Sequence, residues 1–319
     1  MVEKFSLVIP VAPERGVEIL NSIKELDYPK SNFKVIVVKG KNPSENRNKG
    51  ADNSSGEIIV FLDDDAVLDR SYLKKVEKFF NEHKEIDIVG GIQLTPLNEK
   101  GFAKISGYAL GSMFGAWKVA NRYSGKKIIL NADETMITSA NLICKRKVLE
   151  KVKFDPGLFP GEDPKFISDA KKAGFKVAYN PDLIIYHRRR PDIKGLFKQI
   201  FNYGRVRPLK EKLSETLKMP FFLIPSLFLV YLIIIFITLL ILITEKLIGI
   251  KNLNLGILLL IFFPLILYIL LALSFALYDS IKNKDYKALL FLPFIYPIIH
   301  ISYGAGFIDG IIHNLLKAK

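Results

Sequence analysis

Three long stretches in the last third of the chain contain no charged side chain, and they constrain the fold more than any other feature. They cover residues 219–244, 252–278 and 288–308. A helix needs about 20 residues to cross the hydrocarbon core of a bilayer, so each stretch is long enough to span a membrane. Because the first two are apolar on nearly every helical face, buried helices of a soluble core are the weaker interpretation. The sequence predicts about three transmembrane helices within residues 219–319.

Basic residues are concentrated just before the first of these stretches. The chain carries 46 Lys and Arg against 32 Asp and Glu, and ten of the basic residues lie between Arg188 and Lys218. Such a segment beside a membrane helix is typical of the cytoplasmic leaflet, so we expect a multi-pass membrane protein with residues 1–218 in the cytoplasm. Residues 193–203 combine apolar and basic positions, which predicts an interfacial helix; an ordinary surface helix is the alternative. Nucleic-acid binding is disfavoured because the charge adjoins a membrane segment.

Residues 1–190 alternate between strands and helices, as in an α/β domain. Apolar runs that predict strands begin at Phe5, Lys34, Glu57 and Ile86. The helices predicted between them cover residues 14–26, 43–53 and 71–80. This alternation predicts a mainly parallel sheet with helices on both faces, in which ligands bind beyond the carboxyl ends of the strands. Three parts are expected: an α/β domain over residues 1–190, basic amphipathic interfacial helices over 191–218, and the transmembrane region over 219–319.

Three adjacent aspartates, Asp63, Asp64 and Asp65, directly follow the third predicted strand. Like charges repel, and a divalent cation bound to a phosphate would relieve that repulsion. The aspartates also share one edge of the predicted sheet with the loop from Pro10 to Arg15. Their position predicts a metal-assisted nucleotide or phosphate site, and a solvated turn is the simpler alternative.

The cysteine content and the N-terminus concern the cellular compartment. Cys144 is the only cysteine, so no disulfide can form within one chain, as is typical of a reducing compartment. The first apolar run, from Phe5, is too short for a signal peptide and is interpreted as a strand. Both observations agree with residues 1–218 on the cytoplasmic side. Few polar groups lie within the apolar stretches, which disfavours a channel or a transporter.

Two sets of motifs resemble family 2 glycosyltransferases, which have a GT-A fold and use nucleotide-activated sugars with Mg²⁺ or Mn²⁺. The first set is typical of the donor half of the family and lies at residues 8–10 and 43–65. The second set is typical of the acceptor half and lies at residues 139–146, 154–155, 161–163 and 186–187. The resemblance covers roughly residues 5–205. Residues 203–205 and 300–310 also resemble the membrane-attached enzymes of succinoglycan-type exopolysaccharide assembly.

The resemblance implies roles for residues of the donor half. Asp63 and Asp65 match the DxD motif, in which Asp65 would bind the metal directly and Asp63 would orient the ribose or the water shell of the metal. His187 would complete the metal or diphosphate site. The cation would be Mn²⁺ or Mg²⁺, and the donor a UDP- or GDP-linked sugar. The residues expected to contact the donor are Pro10, Val11, Ala12, Glu14, Lys39, Arg47, Asp63 and Asp64.

In the acceptor half, Asp163 matches the catalytic base of the family. It would take the proton of the acceptor hydroxyl while that oxygen attacks the anomeric carbon with inversion. Capping the helix that follows is its alternative role. Arg188, Arg189 and Arg190 could bind diphosphate or lipid phosphate, or could simply be attracted to anionic lipid. The residues expected on the acceptor or its phosphate are Asn141, Glu162, Arg188, Arg189, Arg190, Gln199, Tyr203 and Arg205.

The chain departs from the family pattern at two places. Lys39 stands where an aspartate for the base and ribose is common, so Lys39 could contact the diphosphate, or base recognition could rest on Glu14 and the backbone of residues 10–12. Asn202 and Tyr203 replace the Arg and Trp of the Gln-x-x-Arg-Trp motif in processive synthases. This second departure disfavours processive synthesis.

The function that the sequence predicts is transfer of a sugar from a nucleotide donor to a lipid-linked acceptor by an inverting, metal-dependent, membrane-anchored enzyme. A polyprenyl-phosphate sugar synthase, similar to dolichol-phosphate mannose synthases, is the alternative within this class. A non-catalytic membrane scaffold with a nucleotide-binding domain is the alternative from another class. The expected partners are the nucleotide sugar, the lipid-linked acceptor and membrane lipids. The sequence defines neither the sugar, the nucleotide base nor the oligomeric state.

Overall fold

The structure is a computed structural model that describes residues 3–210, 216, 219–248 and 255–317. Residues 211–215 and 217–218 of the predicted basic segment therefore lie outside the described residues. The chain divides into two units, Met1–Arg189 and Arg190–Lys319.

Seven strands form one mixed sheet within the described part of the first unit. Its order is β2-β1-β3-β6-β5-β7-β4. The strands are β1 (Phe5–Val11), β2 (Phe33–Lys39), β3 (Ile58–Leu62), β4 (Val67–Leu68), β5 (Ile88–Leu94), β6 (Asn141–Lys145) and β7 (Val177–Tyr186). β1 pairs in parallel with β2 and β3, and β5 with β7. β6 runs antiparallel to β3 and β5, and β4 runs antiparallel to β7. The α/β class is confirmed, but antiparallel pairs are as numerous as parallel ones because β6 enters between β3 and β5 in the opposite direction.

Helices pack on both faces of this sheet. Those of the first unit are α1 (Leu20–Lys24), α2 (Pro43–Asp52), α3 (Tyr72–Glu82), α4 (Gly101–Leu110), α5 (Met113–Ala116), α6 (Asn121–Ser124), α7 (Arg146–Leu149) and α8 (Glu162–Lys172). Successive residues of a strand point to opposite faces. Leu7 of β1 therefore joins the core cluster of α3, while Val8 joins the cluster of α2 and α8.

Helix α1 is much shorter than the predicted helix over residues 14–26. Its first residue is Leu20, because the preceding residues form a loop that packs on the acidic segment after β3. The Ile19 amide donates a hydrogen bond to the Asp64 carbonyl, at 3.0 Å, and the Arg15 side chain reaches Asp64 and Asp65. Tertiary contacts with the acidic segment thus override the helical spacing of the apolar residues.

The second unit contains four long α-helices among its described residues. They are α9 (Ile193–Val206), α10 (Ile224–Ile248), α11 (Leu255–Lys282) and α12 (Leu292–Lys317). Three segments are long and apolar enough to cross a membrane: Pro220–Thr244, Gly256–Lys282 and Leu292–Leu316. The third is less apolar than the others and much more of it is buried within the protein. This difference sets α12 apart from α10 and α11.

Helices α9 and α12 pack side by side with almost no space between their backbones. A Cβ atom on Gly306 would lie 1.9 Å from the Phe201 carbonyl oxygen, and one on Gly310 would lie 2.1 Å from that of Arg205. The Arg205 Nε also lies 2.8 Å from the Asp309 carboxylate. Because contacts advance in the same direction along both helices, α9 and the second half of α12 run parallel.

Candidate active site

The sheet brings the acidic segment and His187 together at one edge. β3 consists of five buried apolar residues, and the chain turns directly after it, with the Ala66 amide 3.3 Å from the Asp63 carbonyl. The short strand β4 then pairs antiparallel with the end of β7, Val67 opposite Tyr186. His187 follows Tyr186, so this pairing delivers its ring beside the aspartates.

Asp63, Asp65 and His187 form a candidate metal site. One ligand atom from each lies within 4.8 Å of the others. The His187 Nε2 is 3.2 Å from the Asp65 Oδ1 and 3.6 Å from the Asp63 Oδ2, and its Nδ1 lies 2.9 Å from the Arg188 carbonyl oxygen. The carbonyl fixes the ring so that Nε2 faces the carboxylates, as a hydrogen bond to the other ring nitrogen does for histidine ligands of metals. Two carboxylates and one imidazole fit a hard divalent cation such as Mn²⁺.

Burial and the neighbouring charges shift the pKa values of these groups. Burial opposes a charge on His187, but hydrogen bonds and attraction from Asp63 and Asp65 raise the pKa of its imidazole to about 10. Burial likewise opposes ionisation of Asp65, yet His187 and Arg15 hold the pKa of that carboxyl below its usual range. In the absence of a metal, the imidazolium itself thus neutralises part of the acidic segment.

Arg15 is a second cation on the acidic segment, and its role was not predicted from the sequence. Its guanidinium lies 3.0 Å from the Asp64 Oδ1 and 2.7 Å from the Asp65 Oδ2. Asp64 is buried, and burial raises the pKa of its carboxyl to about 6 despite Arg15. The only sequence signal for Arg15 is its place in the loop that follows β1, at the carboxyl edge of the sheet.

Arg47 connects the acidic segment to the start of α8. Its buried guanidinium donates to the Glu162 Oε1 at 2.9 Å and to the Asp63 Oδ1 at 3.3 Å. It also lies over the Phe154 ring, 5.6 Å from its centroid. A single buried cation therefore holds together a carboxylate of the candidate metal site and one beside Asp163.

Asp163 lies in the first turn of α8, where Gly161 occupies the N-cap position. The alternative role of Asp163 as the cap of this helix is therefore wrong. Its Oδ1 is buried and accepts no hydrogen bond from any described residue. Buried carboxylate oxygens are normally hydrogen-bonded, so this unpaired oxygen marks Asp163 as a candidate functional group.

The residues predicted to contact the donor mostly lie at the carboxyl edge of β1 to β3. Val11 is opposite Lys39 in the register of β1 and β2, and the exposed Glu14 follows in the loop before α1. Lys39 is exposed at the end of β2. The structure thus places the predicted donor residues around one edge, together with the candidate metal site.

The residues predicted to contact the acceptor are more dispersed. Asn141 is fully buried in the sheet, where it donates to the carbonyls of Ile92 and Leu183 and accepts from the Tyr72 hydroxyl. Its side chain is fully buried, and these hydrogen bonds give it a structural role in the sheet; its contact with the acceptor stays a prediction. Arg189 donates to the Gln93 carbonyl and to the Thr95 hydroxyl, which gives it a structural role.

The other predicted acceptor residues occupy both units. Arg188 is exposed in the first unit, 3.7 Å from Glu18. Arg190 is exposed at the start of the second unit. On α9, the Gln199 amide donates to the Tyr203 hydroxyl at 3.2 Å, and Arg205 pairs with Asp309. Gln199, Tyr203 and Arg205 of the predicted acceptor set are thus paired with other residues of the second unit.

The architecture of the chain is that of a GT-A fold followed by apolar helices. The mannosyltransferase PcManGT from Pyrobaculum calidifontis, solved with GDP-Man and Mn²⁺, matches it with a TM-score of 0.53 at 14% identity. The match covers 100% of this chain and 89% of that chain. At this identity, the likeness establishes the fold alone.

The sequence identifies the family. Residues 4–202 match the family described as "Glycosyltransferase like family 2", and the chain belongs to the family 2 glycosyltransferases.

Two relatives illustrate the range of this family. A dolichyl N-acetyl-α-D-glucosaminyl phosphate 3-β-D-2,3-diacetamido-2,3-dideoxy-β-D-glucuronosyltransferase from Methanococcus voltae is 23% identical over 245 residues, 64% of this chain and 73% of that enzyme. The poly(ribitol-phosphate) β-N-acetylglucosaminyltransferase TarS from Staphylococcus aureus is 27% identical over 110 residues. That match covers 25% of this chain and 19% of TarS.

Proposed function

We propose that the protein is an inverting, metal-dependent glycosyltransferase that moves a sugar from a nucleotide-sugar donor to a lipid-linked acceptor. The observation that carries this proposal is the joining of two groups of acids by Arg47. One group is the metal-type cluster of Asp63, Asp65 and His187. The other is the Glu162–Asp163 pair at the start of α8. A donor diphosphate and an acceptor hydroxyl need such neighbouring sites.

On the donor side, Asp63, Asp65 and His187 would hold Mn²⁺ or Mg²⁺. The cation would neutralise the charge that develops on the departing nucleoside diphosphate. Arg15, at the same carboxylates, is within reach of an incoming phosphate because its side chain is half exposed. Guanidinium groups bind phosphate bidentately, which supports a second role for Arg15 once a donor is present.

On the acceptor side, we assign the general base to Asp163. One carboxylate suffices for inversion, because it removes the proton from the hydroxyl as that oxygen forms the new bond to the anomeric carbon. The buried and unsatisfied Oδ1 of Asp163 supports this assignment. Glu162 is committed to Arg47 and to the Gly161 amide, so it positions the first turn of α8.

A lipid-linked acceptor agrees with the composition of the second unit. Three of its helices are long and apolar enough to cross a membrane. The basic residues between Arg188 and Lys218 support a catalytic unit on the cytoplasmic side, in line with the positive-inside rule. The name of the Methanococcus voltae relative specifies a dolichyl-linked acceptor. For this chain, that supports a sugar hydroxyl on a lipid carrier as the acceptor over a polyprenyl phosphate.

The test is a screen of UDP- and GDP-linked sugars for metal-dependent hydrolysis and transfer by the purified full-length protein. We expect activity with Mn²⁺ or Mg²⁺ that is abolished by chelation. Asp65→Asn should lose the response to metal, and Asp163→Asn should lower transfer by about 10²-fold or more, the usual contribution of a general base. Retention of full activity in both variants would contradict the proposal.

The matched control is Asp52→Asn. Asp52 is an exposed aspartate on α2 that pairs with Lys153, so its loss should leave activity unchanged. The anomeric configuration of the product, measured by NMR, tests inversion separately. A product with retained configuration would exclude the role assigned to Asp163 even if the metal requirement holds.

A further inference from the structure

The loop formed by residues 112–123 closes on itself beside strand β5. It contains α5, a 3₁₀ turn over Trp117–Ala120 and most of α6. The Ser124 hydroxyl, just beyond its end, donates to the Gly111 carbonyl at 2.6 Å, so the two ends of the loop meet. A loop whose ends are joined in this way is a compact surface element.

The second half of this loop is fixed to the body of the catalytic unit. The Tyr179 hydroxyl donates to the Asn121 carbonyl at 2.6 Å, and the Arg122 guanidinium donates to the Glu134 carbonyl at 2.7 Å. The Arg189 guanidinium lies over the Tyr123 ring, 4.5 Å from its centroid. Arg189 is two residues from His187, so the loop is anchored close to the candidate active site.

The first half of the loop presents large apolar side chains to solvent. Met113 is 60% exposed and Trp117 is 53% exposed. Trp117 also has a φ of 47°, a left-handed backbone that is unfavourable for a bulky residue. The protein thus maintains a strained backbone that holds an indole outside its own core. A surface beyond the protein is the reasonable recipient of this side chain.

The charge around the loop indicates which surface that is. From Lys100 to Ala132 the sequence has six Lys and Arg and no Asp or Glu. Lys118, Lys126 and Lys127 are exposed. Tryptophan and long apolar side chains with lysines beside them are typical of elements that insert into the interface of an anionic membrane. The same chain carries helices apolar enough to reach that membrane.

We infer that the 112–123 loop is a membrane contact of the catalytic unit, with Met113 and Trp117 inserted among lipid head groups and upper acyl chains. The lysines beside them attract the anionic leaflet. This contact is separate from the transmembrane helices and does not depend on the reaction proposed above. It gives the membrane a second point of attachment beside the candidate active site, where a lipid-linked substrate would arrive.

Trp117 is the only tryptophan of the chain, so its fluorescence reports on this loop alone. The full-length protein would be reconstituted into vesicles of phosphatidylcholine and phosphatidylglycerol, with or without brominated acyl chains. We expect brominated lipid to quench Trp117 emission strongly and aqueous acrylamide to quench it weakly. Replacing the phosphatidylglycerol by phosphatidylcholine should reduce the quenching by brominated lipid, because the lysines then lose their counter-charge.

The control moves the reporter to another surface. Trp117→Phe combined with Val37→Trp places the only indole on β2, the edge strand at the other end of the sheet, where Val37 is 38% exposed. We expect this reporter to show the reverse pattern, with several-fold weaker quenching by brominated lipid. Equal quenching at the two positions would overturn the inference. Emission from Trp117 that is shielded from acrylamide but indifferent to brominated lipid would also overturn it, in favour of a contact with a second copy of the chain.

Discussion

At the scale of single residues, the acidic segment after β3 is held by two cations of the protein itself. His187 lies between Asp63 and Asp65, and Arg15 pairs with Asp64 and Asp65. Both cations contact the carboxylate that is expected to bind the metal most directly. If a metal binds here, His187 would give up its proton and remain as a ligand, whereas Arg15 would have to release Asp65.

The first prediction concerns Arg15→Ala. Because the guanidinium competes for the Asp65 carboxylate, its removal should tighten the binding of Mn²⁺ in the absence of donor. An exposed ion pair is worth about 1 kcal/mol or less, so we expect a gain of up to about fivefold. Titration calorimetry with Mn²⁺ measures it. Arg70→Ala, at an exposed arginine outside the site, is the control, and weaker binding by Arg15→Ala would contradict the prediction.

The second prediction concerns Glu162→Gln and the pH dependence of stability. Burial and the nearby Asp163 raise the pKa of Glu162 to about 7, against the attraction of Arg47. The unfolded chain has a glutamate pKa of about 4.3. A raised carboxyl pKa gives stability that is complete below the unfolded pKa and is lost as the pH rises through the folded pKa.

The wild-type protein should therefore lose stability relative to Glu162→Gln between pH values of about 4 and about 7, by at most about 4 kcal/mol. Thermal unfolding of both proteins across this range measures the difference. Glu162→Gln also loses the charged contact with Arg47. This loss shifts the stability of the variant, but the shift is removed when the difference between the two proteins is compared across pH. A difference that is constant over the whole range would contradict the prediction.

At the scale of secondary-structure elements, the contact between α9 and α12 depends on glycine. Gly306→Ala would place a Cβ atom 1.9 Å from the Phe201 carbonyl oxygen. Backbone cannot yield as a flexible side chain can, so we expect a loss of about 1–3 kcal/mol, typical of overpacking. The measurement is thermal unfolding of the detergent-solubilised protein. Gly16→Ala, where no atom lies within 4 Å of the new Cβ, should leave the stability unchanged, and equal stability of the two variants would contradict the prediction.

Elements with strong local periodicity could be predicted from the sequence, and those defined by distant contacts could not. The buried apolar run of β3 and the capped helix α2 needed no tertiary information. The short α1 was overestimated because Ile19 and Arg15 bind the acidic segment instead of continuing a helix. The direction of β6 depends on how the chain returns after β5, which leaves no trace in the local pattern.

The candidate site shows the same division. The Asp63–Asp65 segment and Asp163 were found because each forms part of a motif at the start or end of an element. Arg15 belongs to no motif, and only the folded loop shows that it reaches Asp65. Asn141 does belong to a motif, but its side-chain amide donates hydrogen bonds to backbone carbonyls of β5 and β7. A motif therefore predicts proximity to the site more reliably than it predicts contact with a ligand.

At the scale of the whole molecule, the second half of α12 bears on how often the chain crosses the membrane. The Asn314 amide donates to the Pro208 carbonyl at 2.7 Å. Pro208 belongs to the basic segment before α10, which we expect on the cytoplasmic side by the positive-inside rule. If α10 and α11 each cross the membrane, the chain returns to that side before α12. Both ends of α12 then lie on one side, so we propose that α12 lies along the membrane and that two helices cross it.

Labelling of single added cysteines in intact cells tests this topology. Lys78→Cys marks the catalytic unit, where the Lys78 side chain is 76% exposed, and Leu316→Cys marks the end of α12, where Leu316 is 67% exposed. We expect a membrane-impermeant maleimide to reach both only after permeabilisation. Lys251→Cys, between the first two apolar stretches, should react in intact cells. Reaction of Leu316→Cys in intact cells would show that α12 crosses.

The native cysteine will not disturb this experiment. Cys144 lies within β6 and is fully buried, and burial raises the pKa of its thiol well above the usual range. A thiol that remains protonated and enclosed reacts slowly with maleimide. The wild-type chain is therefore a suitable background for every added cysteine.

The position of His187 in the chain sets a limit on how the enzyme can be divided. Only two residues separate it from Arg190, the first residue of the second unit. Three peptide units span at most about 10 Å, so His187 lies no farther than that from Arg190. A fragment that ends at Tyr186, the last residue of β7, would lose His187, the proposed metal ligand, together with the apolar helices. An exchange of the apolar helices between such enzymes must therefore keep His187 and the two residues that follow it.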